Sequence, residues 1–381
     1  MNTPICRITL LIAAALIASG CGDTSQSSAP FRLIQYAFVT NGKSNSLSVV
    51  DLATFRVAHT VPVGVSPTGV TASPIRNEVY VVNTGSGTLS FLNAETMQVE
   101  ATVRVGNGPF SVELSPDGAI GYVANSESGT VSVVNLTERR VTQTIPVGHS
   151  PGSLKAAPDG KTLVVSNRGS DSISIIDLEA MTLLAEVAVG SQPGPVAILP
   201  DSTQAFIANA GSGSVSAVDL RARKLLAHLE TGSAPASLAL KPDGGELFVT
   251  NFDAHTIAVV NTYADEVAES LSAGQNPSQV VVDSSGSLLY FTNFGSNTVS
   301  IVDINSRLVR ASIEVGSGPD ALALTPDGRY LLVVGSQSND LAVVDAARQS
   351  LFTVVPLEQM PRAIAIKVFE APADGQPQPE R

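Results

Sequence analysis

One spacing governs this sequence. An Asn recurs at Asn41, Asn83, Asn125, Asn167, Asn209, Asn251 and Asn293, 42 residues apart each time, and one more step lands on Gly335. A Pro keeps the same period at Pro67, Pro109, Pro151, Pro193, Pro235, Pro277, Pro319 and Pro361. A third marker is acidic or amide: Asp51, Asn93, Asn135, Asp177, Asp219, Asn261, Asp303 and Asp345. Three markers hold one period without an insertion, so the chain is a tandem array. Units of about 20–50 residues stack in such arrays, because each buries its hydrophobic face only against neighbours.

Each unit reads as four strands. In residues 109–150, Pro109 leads an apolar run from Phe110 to Leu114. Pro116-Asp117-Gly118 is a turn, with Pro fixing its first φ and Gly accepting a positive one. Ala119 to Asn125 is a second strand and Thr130 to Asn135 a third, rich in β-branched residues. Arg140 to Val147 is the fourth. Period-two alternation with turns every few residues argues strands rather than helices. A four-stranded unit of this length suits a propeller blade. The expected fold is all-β, a single eight-bladed β-propeller, with seven blades as the alternative because the last repeat loses its Asn and its Val-Gly. The chain opens on a second strand, Ala37 to Asn41, and closes on an inner one, Arg362 to Lys367, so the two ends are expected to share a blade.

The segments Phe38 to Asn41, Tyr80 to Asn83, Tyr122 to Asn125, Phe248 to Asn251 and Tyr290 to Asn293 resemble the signature of the YVTN-family β-propeller repeat. The Ser-Gly-Thr-Val-Ser-Val-Val and Val-Gly-x-x-Pro segments that follow are similar as well. The resemblance covers about residues 35 to 367. It implies the fold, and it leaves function open among surface-layer modules, periplasmic propellers, lactonase-like enzymes and relatives of haem-binding propellers.

The first thirty residues read as an address. An apolar run from Ile8 to Ala18 follows Arg7 and ends in Ala18-Ser19-Gly20-Cys21. It is too short to span a bilayer and suits the core of a signal peptide. The ending resembles the bacterial lipobox, with Ala where the family usually has Leu. Residues 1–20 are therefore expected to be a lipoprotein signal peptide, and 21–30 a lipidated Cys21 with a flexible tether. Residues 31–368 would form the propeller and 369–381 a disordered tail. The implied location is the bacterial envelope, facing the periplasm, with the outer membrane as the expected anchor. An ordinary secretory signal that happens to contain a Cys is the competing reading.

Composition narrows function by exclusion. Lys+Arg 22 against Asp+Glu 34 gives a net charge of −12, which repels phosphate and argues against nucleic acid. With no Trp and two Cys, neither Trp stacking platforms nor a disulfide framework is open to this chain. No metal-ligand spacing, nucleophile elbow or Cys-x-x-Cys-His is present, so no catalytic residue, metal or cofactor is expected. Identical Asn residues in successive blades point to structure, since an amide at a strand end satisfies loop backbone groups.

Function is expected where symmetry breaks, on the rim formed by the loops before Pro and after Asn. Its departures from Gly and Ser include Asp171, Phe252, Asp253 and Phe294, and the binding candidates are His149, Arg168, His255, Asp320 and Arg362. Solvated loops would show the same residue types. A monomer is expected to hold an envelope protein or small anionic ligand there. A lactonase-like hydrolase and a haem d1-type tetrapyrrole site, with His149 and Arg362 as its one candidate pair, are the alternatives. Glu113 with Lys155 and Asp320 with Arg362 are expected to pair between neighbouring blades.

Overall fold

The computed structural model describes residues 31–372; Cys21, the apolar leader and the segment after Pro372 lie outside the described residues. Within them the chain forms 32 strands and no helix. The strands make eight four-stranded sheets arranged as a β-propeller. Blades 2 to 8 take their strands in chain order, over residues 67–104, 109–146, 151–188, 193–230, 235–272, 277–314 and 319–356. Blade 1 is composite. Phe31–Asn41, Ser46–Asp51 and Arg56–Pro62 receive Pro361–Pro372 as their inner strand. The last repeat is a complete blade despite its lost markers, so the count is eight and not seven.

Both closing strands are longer than the sequence suggested. The first starts at Phe31 rather than Ala37, and the last runs past Lys367 to Pro372. The boundary placed at 368 is thus corrected. Phe369 is buried against Phe38, Val49 and Val81, with its ring 6.1 Å from that of Tyr36. An apolar slot between blades 1 and 2 keeps this residue in the fold.

No blade owns a core. Eight hydrophobic clusters fill the eight gaps between neighbours. Tyr122, Val131 and Ile145 of blade 3 pack with Leu154, Leu163 and Ile176 of blade 4. Ala37 and Val39 of blade 1 meet Leu332, Leu341 and Val343 of blade 8. The second and third strands are therefore buried on both faces, as in Leu288–Asn293 and Thr298–Asp303 of blade 7. Outer strands alternate, because one of their faces reaches water. A bulge breaks the pairing of third and outer strand in every blade, at Val133/Val134 in blade 3 for example. Bulges increase local twist, and a blade that fans out from an axis needs that twist.

The third marker closes the turn between third and outer strand. Asn135 Oδ1 accepts from Thr137 N at 3.0 Å and Glu138 N at 2.9 Å. The same turn carries a residue at positive φ in each blade: Phe55, Met97, Arg139, Met181, Arg223, Asp265, Arg307 and Gln349. Several of these side chains reach the preceding blade, by ion pairs, an amide hydrogen bond or aromatic contact. Arg139 pairs with Glu78 at 3.0 Å and also with Glu100. Arg307 pairs with Glu246 and, at 2.6 Å, with Glu269. Asp265 accepts from Gln204 at 2.7 Å. At the closure Phe55 meets Tyr330 and Phe352 edge to face, with centroids 4.9 and 5.2 Å away.

Candidate functional site

The inner strand leaves one rim at its Pro, and the second strand returns to that rim at its Asn. The loops before Pro and after Asn are therefore neighbours, and backbone bonds join them. Gly85 N reaches Val65 O at 2.9 Å, Gly169 N reaches His149 O at 2.9 Å, and Lys43 N reaches Gln359 O at 3.2 Å. Tight turns fix both loops. The residue before Pro has a positive φ in every blade, between 49° at Ser150 and 61° at Gly318. So has the fourth residue after each marker position, between 49° at Asp171 and 65° at Gly87.

That fourth residue is a clamp wherever it is not Gly. Asn45 Oδ1 accepts from Ser66 N, Asp171 Oδ1 from Gln192 N and Asn297 Oδ1 from Gly318 N, at 2.9 to 3.1 Å. His255 holds the same place. Its φ is 57°, and its Nδ1 accepts from Asn276 N at 3.0 Å. The imidazole thus serves a loop contact.

The marker amide is wholly buried in all seven blades that carry it. Asn125 Nδ2 donates to Thr130 Oγ1 at 3.1 Å and Ser132 Oγ at 2.9 Å, and its Oδ1 accepts from Gly106 N at 3.0 Å. Asn83 and Asn293 make the same three bonds. Gly106 belongs to the loop entering the blade, so the amide ties that loop to the strand end. A Cβ on Gly106 would stand 2.5 Å from Asn125 Cγ, which is why Gly follows Val there.

Blade 8 departs from this pattern. Gly335 replaces the Asn, and Asp340 turns its carboxylate into the vacated space, where a Cβ on Gly335 or Gly316 would collide with it. Asp340 Oδ1 is buried without a hydrogen bond. Burial pushes this carboxyl above the usual aspartate range, and the nearby Ser338 hydroxyl opposes the shift.

The candidate rim residues separate into groups. Asp320 and Arg362 face one cavity of about 580 Å³ at the meeting of blades 7, 8 and 1, with Lys43, Phe294, Gln337 and Met360 also in its wall. Asp320 is half-buried. Burial raises its carboxyl above the usual range, and the Arg362 charge opposes that shift. The expected ion pair between them does not form, for among the described residues no salt bridge joins the two. Arg362 lies along Gly42 instead, where a Cβ would be 3.2 Å from its Nε, and its Nη2 touches Met360 Sδ at 3.7 Å. Glu113 and Lys155 do pair, at 2.8 Å.

Arg168 is elsewhere. It donates to Gln192 Oε1 at 3.2 Å and borders two cavities over blades 3 to 6, of about 410 and 300 Å³. The first also has Phe110, exposed at the mouth, in its wall. His149 lies in the loop entering blade 4, and its backbone N bonds to Ser170 Oγ at 3.0 Å. The structure does not bring His149, Arg168 or His255 into the cavity of Arg362. Lys43 and Met360 were missed from sequence. The signal for Lys43 was available, since its counterparts are Gly85, Glu127, Gly169, Gly211, Asp253, Gly295 and Gln337.

A family model described as a YNCE-like beta-propeller matches residues 1–120 and 170–353, most of the chain. The chain belongs to the YNCE-like β-propeller family. A second model, a seven-bladed lactonase propeller, matches residues 70–184 only, and this family member has eight blades. No curated protein matches the chain in sequence. Solved structures share the fold. Hydrazine synthase of Kuenenia stuttgartiensis is 24% identical over 74% of this chain and 96% of that one, with a TM-score of 0.60. The dihydro-haem d1 dehydrogenase NirN, in complex with DHE, is 16% identical over 86% of this chain and 74% of that one, with a TM-score of 0.74. A functionally unknown protein from Desulfotomaculum acetoxidans is 17% identical over 76% and 98%, with a TM-score of 0.62.

Proposed function

We propose that this YNCE-like propeller is a YVTN-type envelope lipoprotein, tethered through Cys21, that binds an anionic ligand or partner segment on the rim of the loops before Pro and after Asn. The observation that supports this reading is the state of the cations at the blade 7–8–1 cavity. Arg362 and Lys43 border it, and neither closes an ion pair with an acid among the described residues. On a protein of net charge −12, two open cations at one cavity give an anion a local place to bind. Repeated strand residues hold every blade alike, so a binding site has its freedom in the loops.

A tetrapyrrole at the channel mouth, as the likeness to NirN suggests, fits these residues less well. The His255 ring nitrogen already accepts a backbone bond, and His149 does not border the cavity of Arg362. Among the described residues no group of three His, Cys, Asp or Glu stands together as a metal-binding set.

The test is capture of native envelope components on two folded variants. One changes His149, Arg168 and Arg362 together to Ala, and the other changes three charges at the Pro-Asp-Gly rim. Loss of partners with the first alone supports the reading. Loss with the second alone moves function to the opposite rim.

A further inference from the structure

Resting on that reading of the rim, we propose that the blade 7–8–1 cavity binds a small zwitterion of the α-amino-acid class, with its carboxylate on Arg362 and its ammonium on Asp320. The two residues hold the same position in adjacent inner strands, one after the leading Pro. Glu113 and Lys155 also share a position in adjacent inner strands, and they close to 2.8 Å. Neighbouring blades therefore allow such a pair to meet. At the cavity they do not meet, because the guanidinium lies along Gly42 and Met360. Opposite charges border one cavity, unjoined.

This arrangement selects by charge. A simple anion is held by Arg362 and Lys43 but stands near the Asp320 carboxylate, so it binds more weakly than a molecule whose ammonium answers that carboxylate. A simple amine drawn to Asp320 is repelled by Arg362 and Lys43. A molecule carrying both charges a few ångströms apart answers both, and charged hydrogen bonds of this kind are the strong ones. The Asp320 carboxylate has no hydrogen bond among the described residues, so its acceptors are open. Burial disfavours its charge, and a bound ammonium would restore it. Phe294 and Met360 supply an apolar wall for the ligand's side chain. That wall is held in place, since Met360 N donates to Asn339 Oδ1 at 2.8 Å and Gly42 N donates to Met360 O at 2.8 Å.

The experiment is calorimetric titration of the full-length protein in detergent with L-phenylalanine, 3-phenylpropionate and phenethylamine. Phenylalanine should bind, and each analogue, lacking one charge, should bind at least about tenfold more weakly. Arg362→Gln and Asp320→Asn should each weaken phenylalanine by about tenfold or more, whereas Glu113→Gln should not. Equal binding of 3-phenylpropionate would overturn the role of Asp320 and with it the proposal. Silence with phenylalanine, leucine and glutamate alike would also overturn it. Neither result touches the wider reading of the rim, which is tested separately by capture of envelope partners. The analogue series uses the unaltered protein, so it decides even if a variant fails to fold.

Discussion

Replacing the marker amide should cost different amounts in different blades, and the structure sets the order. In Asn125→Ala, Gly106 N loses its acceptor, and Thr130 and Ser132 lose a donor each. An unsatisfied buried N–H costs about 1–3 kcal/mol, while hydroxyls can rotate and recover part of about 1 kcal/mol each. The total comes to about 2–4 kcal/mol. Asn167 is as deeply buried, and its Nδ2 donates to Ser172 at 3.1 Å and Ser174 at 3.0 Å, but its Oδ1 has no partner. Asn167→Ala removes an unsatisfied acceptor together with two weak bonds, so about 1–2 kcal/mol is expected. Urea denaturation of both variants, with equal slopes, would measure the gap. Asn125→Asp should fall between, since it keeps the acceptor for Gly106. If Asn167→Ala were as damaging as Asn125→Ala, the contribution of the Gly106 bond would be refuted. If both were neutral, the loops would not depend on the amide at all.

Truncation after Met360 removes the inner strand of blade 1 and should lower the unfolding midpoint far more than truncation after Pro372, read by thermal denaturation. Asp320→Asn should stabilise the protein at pH 7. Its folded pKa is raised, so the folded state holds its proton longer than the unfolded chain, and stability falls as pH rises from the ordinary aspartate range through the folded value. The gain should vanish below the ordinary aspartate range, which a comparison of melting temperatures at both ends checks. Arg139→Ala should cost about 1 kcal/mol at low salt and less at high salt, because its partners Glu78 and Glu100 are partly exposed. Cys21→Ala should move the protein from the membrane to the soluble fraction, and unchanged fractionation would refute lipid anchoring.

The blade count was legible because each marker reports a local need. Pro starts an inner strand, Asn ends a second strand, and Asp or Asn closes the turn after the third. The site was only partly legible. His255 looked like a rare functional group on a rim of Gly and Ser, yet it does the work of Asn45, Asn297 and Asn339. The recurrence of Gly, Asn, Asp and His at this position is itself the mark of a positive φ, and that mark places His255 among the loop clamps. Symmetry breaking found Asp320 and Arg362 but passed over Lys43, although four of its seven counterparts are Gly. The replacement of Asn by Gly335 was visible, while the turn of Asp340 into the vacant space was not, since it depends on Gly316 in a neighbouring loop.

The sequence by itself determined the strand order within a blade and the joining of the two chain ends, and it favoured eight blades over seven. Those follow from turn chemistry and a constant period, which act over a few residues and add along the chain. The tertiary structure alone decided which rim charges share a cavity. Lys43 and Arg362 come from opposite ends of the chain and meet only because the ring closes there. Whether Asp320 reaches Arg362 is likewise a matter of where Gly42 and Met360 hold the guanidinium, and no spacing along the sequence encodes that contact.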